Sequence, residues 1–289
     1  MKTILYATDY SKNSVAALKY AQKFSKTMDS LLVVTHVFGY GMVTESVVLD
    51  DPELRKNALK ANRTRLEEFC KEYLGEDRKK TNIQIVPIEN MSIVDGVIGV
   101  ASEWHAQIIV VGTKGESVLK EIFMGSTAKQ LIEKAPCPIM TIPTEANYKP
   151  FKTIVYATDF EEEDVYAIKK LSEFAERFEA EIKMVHISTK KAYSGETQME
   201  WFKDALLEKV DYGPLEFQLL LSENIFEALR TYLGDVGADL VVMLERKKSG
   251  FLKKWYHADK VKKMETYGKV PLLSFNEGNH EIFHFSAEL

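Results

Sequence analysis

Thr3-Ile4-Leu5-Tyr6-Ala7-Thr8-Asp9 returns 150 residues later as Thr153-Ile154-Val155-Tyr156-Ala157-Thr158-Asp159. The same offset pairs His36 with His186 and Val37 with Ile187. A repeat covering about half of 289 residues signals two fused copies of one domain rather than a solenoid. Each copy then has ~145 residues, an ordinary domain size. Ile4 to Ala7 is an apolar run ending at a polar pair, as expected of a parallel strand covered on both faces. A helix should follow, because Ala17, Leu18, Ala21, Phe24 and Met28 recur at spacings of three and four. Copy two keeps that stripe as Ala167, Ile168, Leu171, Phe174 and Phe178.

Further strands are predicted at 31–37, 83–88, 108–111 and 139–142, with 182–187 matching the first of these in copy two. Helices are predicted to start at Asp51-Pro52-Glu53 and to end near Gly75, to start at Ser92-x-x-Asp95, and to span 126–134. Strand–helix alternation throughout predicts an α/β fold: two tandem, open, five-stranded parallel sheets flanked by helices. The domains read as 1–144 and 151–276, with a linker at 143–150 and a tail at 277–289. Between the second and third strands the offset falls from 150 to 132, so copy two is shorter there. The extra segment of copy one, about 38–50, is a surface loop or a lid near the ligand edge.

Composition is that of an ordinary globular protein, 45% hydrophobic and 28% charged. A net charge of −5 gives no general pull toward nucleic acid or anionic membrane. Two cysteines, Cys70 and Cys137, form neither a disulfide framework nor a metal pattern. The start of the chain lacks a leader pattern, and no apolar run approaches membrane-spanning length. The expected location is the cytoplasm.

Copy one carries Gly112-x2-Gly115-x9-Gly125-Ser126-Thr127 after its fourth strand and before a helix. Glycines let the backbone turn sharply and approach a ligand, and free N–H groups at a helix start attract phosphate. The pattern is neither a Walker A loop nor a Gly-x-Gly-x-x-Gly fingerprint. In copy two the loop is replaced by Leu244-Glu245-Arg246-Lys247-Lys248-Ser249-Gly250, and Ala258-Asp259-Lys260 stands at the helix start. An aspartate there would repel phosphate. Lys247, Lys248, Lys253 and Lys254 form either a basic patch or a solvated face.

These motifs, with Ala135-Pro136-Cys137-Pro138-Ile139 before the last strand of copy one, resemble those of the universal stress protein family in tandem form. The resemblance covers nearly the whole chain. It implies halves of the Rossmann-like, adenine nucleotide alpha-hydrolase-like kind, with ATP or a related adenine nucleotide, with or without Mg2+, at the carboxyl edge of the sheet. By the resemblance, Ala7, Thr8, Asp9 and Val37 surround the adenine. Gly112 and Gly115 line ribose and phosphates, and Gly125, Ser126 and Thr127 hold the phosphates. Lys114 is either an added charge or a solvated side chain. The resemblance also implies a pseudo-dimer within the chain, formed by 139–142 and 272–275, and leaves a homodimer open.

Two other motifs are discounted. His280-Glu281-Ile282-Phe283-His284 matches the zinc-protease pattern but lacks room for a downstream ligand. His36 and His186 end matching strands without a ligand cluster, which suits a structural role. No general base is evident, so the chain is not read as an enzyme, although slow hydrolysis of bound ATP stays open. The competing reading is a nucleotide-free scaffold. A ligase-like enzyme on the same architecture would need catalytic residues that the sequence does not supply.

Overall fold

The computed structural model describes residues 2–39, 52–113, 126–188, 195–246, 269–276 and 278. The first copy runs β1 (Thr3–Ala7), α1 (Lys12–Thr27), β2 (Leu31–Phe38), α2 (Pro52–Leu74), β3 (Ile83–Glu89), α3 (Ile93–Glu103), β4 (Ala106–Gly112), α4 (Ser126–Lys134) and β5 (Ile139–Ile142). The second runs β6 (Thr153–Ala157), α5 (Glu162–Glu176), β7 (Glu181–Ser188), α6 (Gly195–Lys209), β8 (Leu215–Leu221), α7 (Ile225–Asp235), β9 (Leu240–Glu245) and β10 (Leu272–Asn276).

Each half is a five-stranded parallel sheet, but the two form one ten-stranded sheet in the order β3-β2-β1-β4-β5-β10-β9-β6-β7-β8. The join is the antiparallel pair β5–β10, with Leu272 opposite Thr141 and Ser274 opposite Ile139. The physical reason is edge protection: β5 and β10 would each otherwise present unpaired backbone groups to solvent.

Local chemistry sets the element ends. Ser11 caps α1 by accepting from the Ser14 N–H, and Ser92 caps α3 by accepting from the Asp95 N–H. α2 ends at Leu74, where Gly75 takes a positive φ of 53° before a short 3-10 turn over Gly75–Lys80. The predicted cap Asp51 and most of the predicted surface loop lie outside the described residues.

The predicted stripes face inward. Ala17, Leu18, Ala21 and Phe24 of α1 are fully buried, as are Ala167, Ile168, Leu171 and Phe174 of α5. These two stripes share one core. Phe24 meets Phe174 at a ring-centroid distance of 6.2 Å, and Phe151, just past the linker, sits against both. Burying an aromatic side chain contributes about 1.5–3 kcal/mol, so this seam holds the halves as firmly as an ordinary core. The linker is tied down as well. The buried Asp239 carboxylate accepts from the Lys152 and Thr153 N–H groups and pairs with Lys149. Across the join, Asn276 Nδ2 donates to the carbonyls of Ile132 and Ala135 at the end of α4.

Candidate functional site

In the first copy the strand order reverses between β1 and β4, the place where open α/β sheets hold ligands. A cavity of about 510 Å³ opens there, a size that suits a small organic ligand. Ala7, Thr8, Asp9, Val37, Gly112, Ser126 and Thr127 all line it. Lys114, Gly115 and Gly125 lie outside the described residues.

The floor is a turn knitted by short side chains. Thr8 Oγ1 donates to Ser14 Oγ at 3.0 Å and accepts from the Tyr10 N–H at 3.0 Å. Ser14 Oγ donates to the Ser11 carbonyl, and Tyr6 donates its hydroxyl to the Ser14 carbonyl. Tyr10 sits at φ 63°, a left-handed conformation that is strained for a side chain of its size. The matching Phe160 of copy two sits at φ 60°, so the strain belongs to the turn itself.

Asp9 Oδ1 accepts from the Ser11 N–H at 2.9 Å. Partial burial pushes the Asp9 carboxyl up, but hydrogen bonds from Ser11, its own N–H and Ser14 outweigh burial and hold it below the usual carboxylate range. Asp9 is therefore an ionised acceptor at neutral pH.

Glycine is needed at two points of the wall. A Cβ on Gly112 would stand 3.0 Å from the Asn13 carbonyl oxygen and 3.3 Å from Ser14 Cα, so the end of β4 presses on the start of α1. A Cβ on Gly96 would stand 2.8 Å from Val37 Cγ1, so α3 closes directly on the apolar wall. Ile93 and Val97 of α3 complete that wall.

Sequence reading missed Gly96, Ser11, Asn13, Ser14 and the α3 residues. A glycine inside a helical pattern costs stability and hints at close packing, so Gly96 had a signal. The serines had a weaker one, since such residues commonly serve only as caps.

His36 also lines the cavity, with Nδ1 2.8 Å from the Thr8 carbonyl oxygen. With a carbonyl as partner, Nδ1 carries the proton. Tyr10 packs on the ring at a centroid distance of 4.4 Å. His186 repeats this contact with Thr158 at 2.8 Å and packs on Phe160. The histidine is thus a strut for the turn in both halves.

The cavity offers hydroxyls, one carboxylate and the N-terminus of α4, which carries partial positive charge. Among the described residues no group of three or more His, Cys, Asp or Glu could hold a metal ion. Asp9 is the single carboxylate among the described lining residues, a poor fit to a resident metal centre and compatible with an ion that arrives already bound to a ligand's phosphates. Burial pushes the Cys70 and Cys137 thiols up to about 12, so neither is a nucleophile near neutral pH. No helix among the described residues is long and apolar enough to cross a membrane. The His280–His284 motif and the lysines at 247–254 lie outside the described residues.

Fold and crevice together define a tandem α/β protein with a ligand cleft at its first switch point. The chain belongs to the universal stress protein family, whose model matches it twice, over residues 1–143 and 150–255. Universal stress protein MJ0577 of Methanocaldococcus jannaschii is 26% identical over 156 residues, spanning 49% of this chain and 94% of that protein. A universal stress protein structure from Archaeoglobus fulgidus DSM 4304 matches 96% of this chain and 98% of its own, with a TM-score of 0.64 at 16% identity. That structure shares the tandem fold across its whole length.

Proposed function

We propose that copy one binds ATP or a related adenine nucleotide, and that occupancy regulates this protein in a cytoplasmic stress response. One observation carries the reading: seven residues picked from sequence for nucleotide contact meet around a single cavity at the switch point. Its chemistry fits. The apolar wall of Val37, Ile93 and Val97 suits a flat base, and Asp9 is an ionised acceptor beside it. Ser126 and Thr127 stand at the α4 N-terminus, where anions bind. In this reading Lys114, Gly115 and Gly125 complete the phosphate cradle, and Mg2+ enters with the nucleotide.

The functional domains are 1–144 and 151–276, with 277–289 as a tail, and the second domain serves as the paired scaffold. The expected role is binding rather than catalysis. Calorimetric titration of Mg-ATP into nucleotide-stripped protein tests this. Saturable binding that Ser126→Asp abolishes supports it. Absence of binding would favour a scaffold that keeps the cavity as inherited structure.

A further inference from the structure

Copy two rebuilds the same turn with one decisive exchange: Asp164 stands where copy one has Ser14. Asp164 is 1% exposed. Its carboxylate accepts from Tyr156 Oη at 2.8 Å, Thr158 Oγ1 at 2.8 Å and the Asp159 N–H at 3.1 Å. The guanidinium of Arg246 reaches the same carboxylate. Arg246 Nη2 lies 2.9 Å from Asp164 Oδ2, and Nη1 lies 3.4 Å from Asp159 Oδ2. Arg246 is itself 7% exposed.

The register shows where this happens. Ala7 pairs with Val111 in copy one, and Ala157 pairs with Met243 in copy two. Arg246 therefore leaves the end of β9 at the level where copy one begins its glycine loop. Thr8, Asp9 and Ser14 line the cavity of copy one. Of their counterparts, Asp159 and Asp164 instead anchor Arg246, and Thr158 donates to Asp164.

We propose that copy two carries its own ligand: the Arg246 guanidinium, fixed by Asp164 and Asp159, fills the crevice between β6 and β9 and closes that half to nucleotide. A buried arginine needs bidentate or multiple carboxylate contacts to offset its lost hydration. A buried aspartate with several donors has the complementary need. Each of the two residues makes sense only with the other, so loss of the glycine loop and gain of Asp164 are parts of one change. The device sets which half of the protein accepts a ligand.

The test uses the full chain and thermal unfolding. Arg246→Met and Asp164→Ser should each lower Tm by about 10 °C, since each strands a buried charge. The double variant should recover at least half of the summed loss, because it removes both charges together. In Arg246→Ala, millimolar ethylguanidinium should raise Tm while leaving the unsubstituted protein unmoved. Additive losses in the double variant, or an Arg246→Met Tm within about 2 °C of the parent, would overturn the proposal. If Arg246→Met does not fold, the double variant decides: cooperative unfolding supports the lock, and failure to fold overturns it. These temperatures do not depend on whether ATP binds copy one, so failure of that reading would be seen separately.

Discussion

After its first strand, copy one places Ser14 under an open cavity, whereas copy two places Asp164 under a buried arginine. At the end of its fourth strand, copy one has Gly112 pressed on the start of α1, and copy two has the buried Leu244. The two halves share strand order, the positive-φ turn residue, the histidine strut and the helix stripes. The fold thus tolerates both outcomes, and a few residues at one crevice decide between ligand site and closed core. Duplication allows that division: one half can lose its cleft while still pairing its last strand with the other.

The largest effect that would break this contrast comes from the phosphate end of copy one. Gly125→Asp imports the charge that copy two carries at Asp259, and ATP affinity should fall by at least ~100-fold in calorimetry, from like-charge repulsion and bulk. Retained affinity would place the ligand elsewhere. Next comes the wall. Gly112→Leu copies Leu244, and its Cβ would meet the Asn13 carbonyl at 3.0 Å. Overpacking of this kind costs about 1–3 kcal/mol, a Tm loss of about 5 °C, with weaker ATP binding beside it.

Much of this was legible from sequence, because the repeat aligns residues whose roles must match. The 150-residue offset and the helix stripes give the layers and the order of elements. Ser126–Lys134 and Ile139–Ile142 fall where the pattern puts them. What escaped reading depends on contacts between distant segments. Arg246 looks like one residue of a basic loop until the β6–β9 register brings it to Asp164. The positive φ of Tyr10 has no glycine or asparagine to announce it. The fusion of two sheets into one follows from edge pairing, which a strand pattern alone does not fix.

A smaller effect sharpens the role of Asp9. Its carboxyl is held below the usual range in the folded protein. A depressed folded value stabilises the protein above the unfolded value, near 3.8, and that contribution fades as pH falls through the lowered one. Asp9→Asn should therefore flatten the acid limb of a Tm-against-pH curve below about pH 4, with a small loss of Tm near neutrality, where the carboxylate contributes fully, that closes as pH falls. An acid limb as steep as the parent's would show that Ser11 does not hold the carboxylate. The smallest expected effect on binding is none at all. Asp159→Ala should lower thermal stability through Arg246 while leaving the number of ATP sites unchanged in a titration. A lost site would mean that copy two takes part in binding.

The most direct measurement is a count. Purified protein is denatured, and released nucleotide is identified and quantified by chromatography; emptied protein is then titrated with ATP to saturation. An open first half and an arginine-closed second half predict one adenine nucleotide per chain. Two per chain would contradict the closed second half, and none, by retention or titration, would contradict the open first.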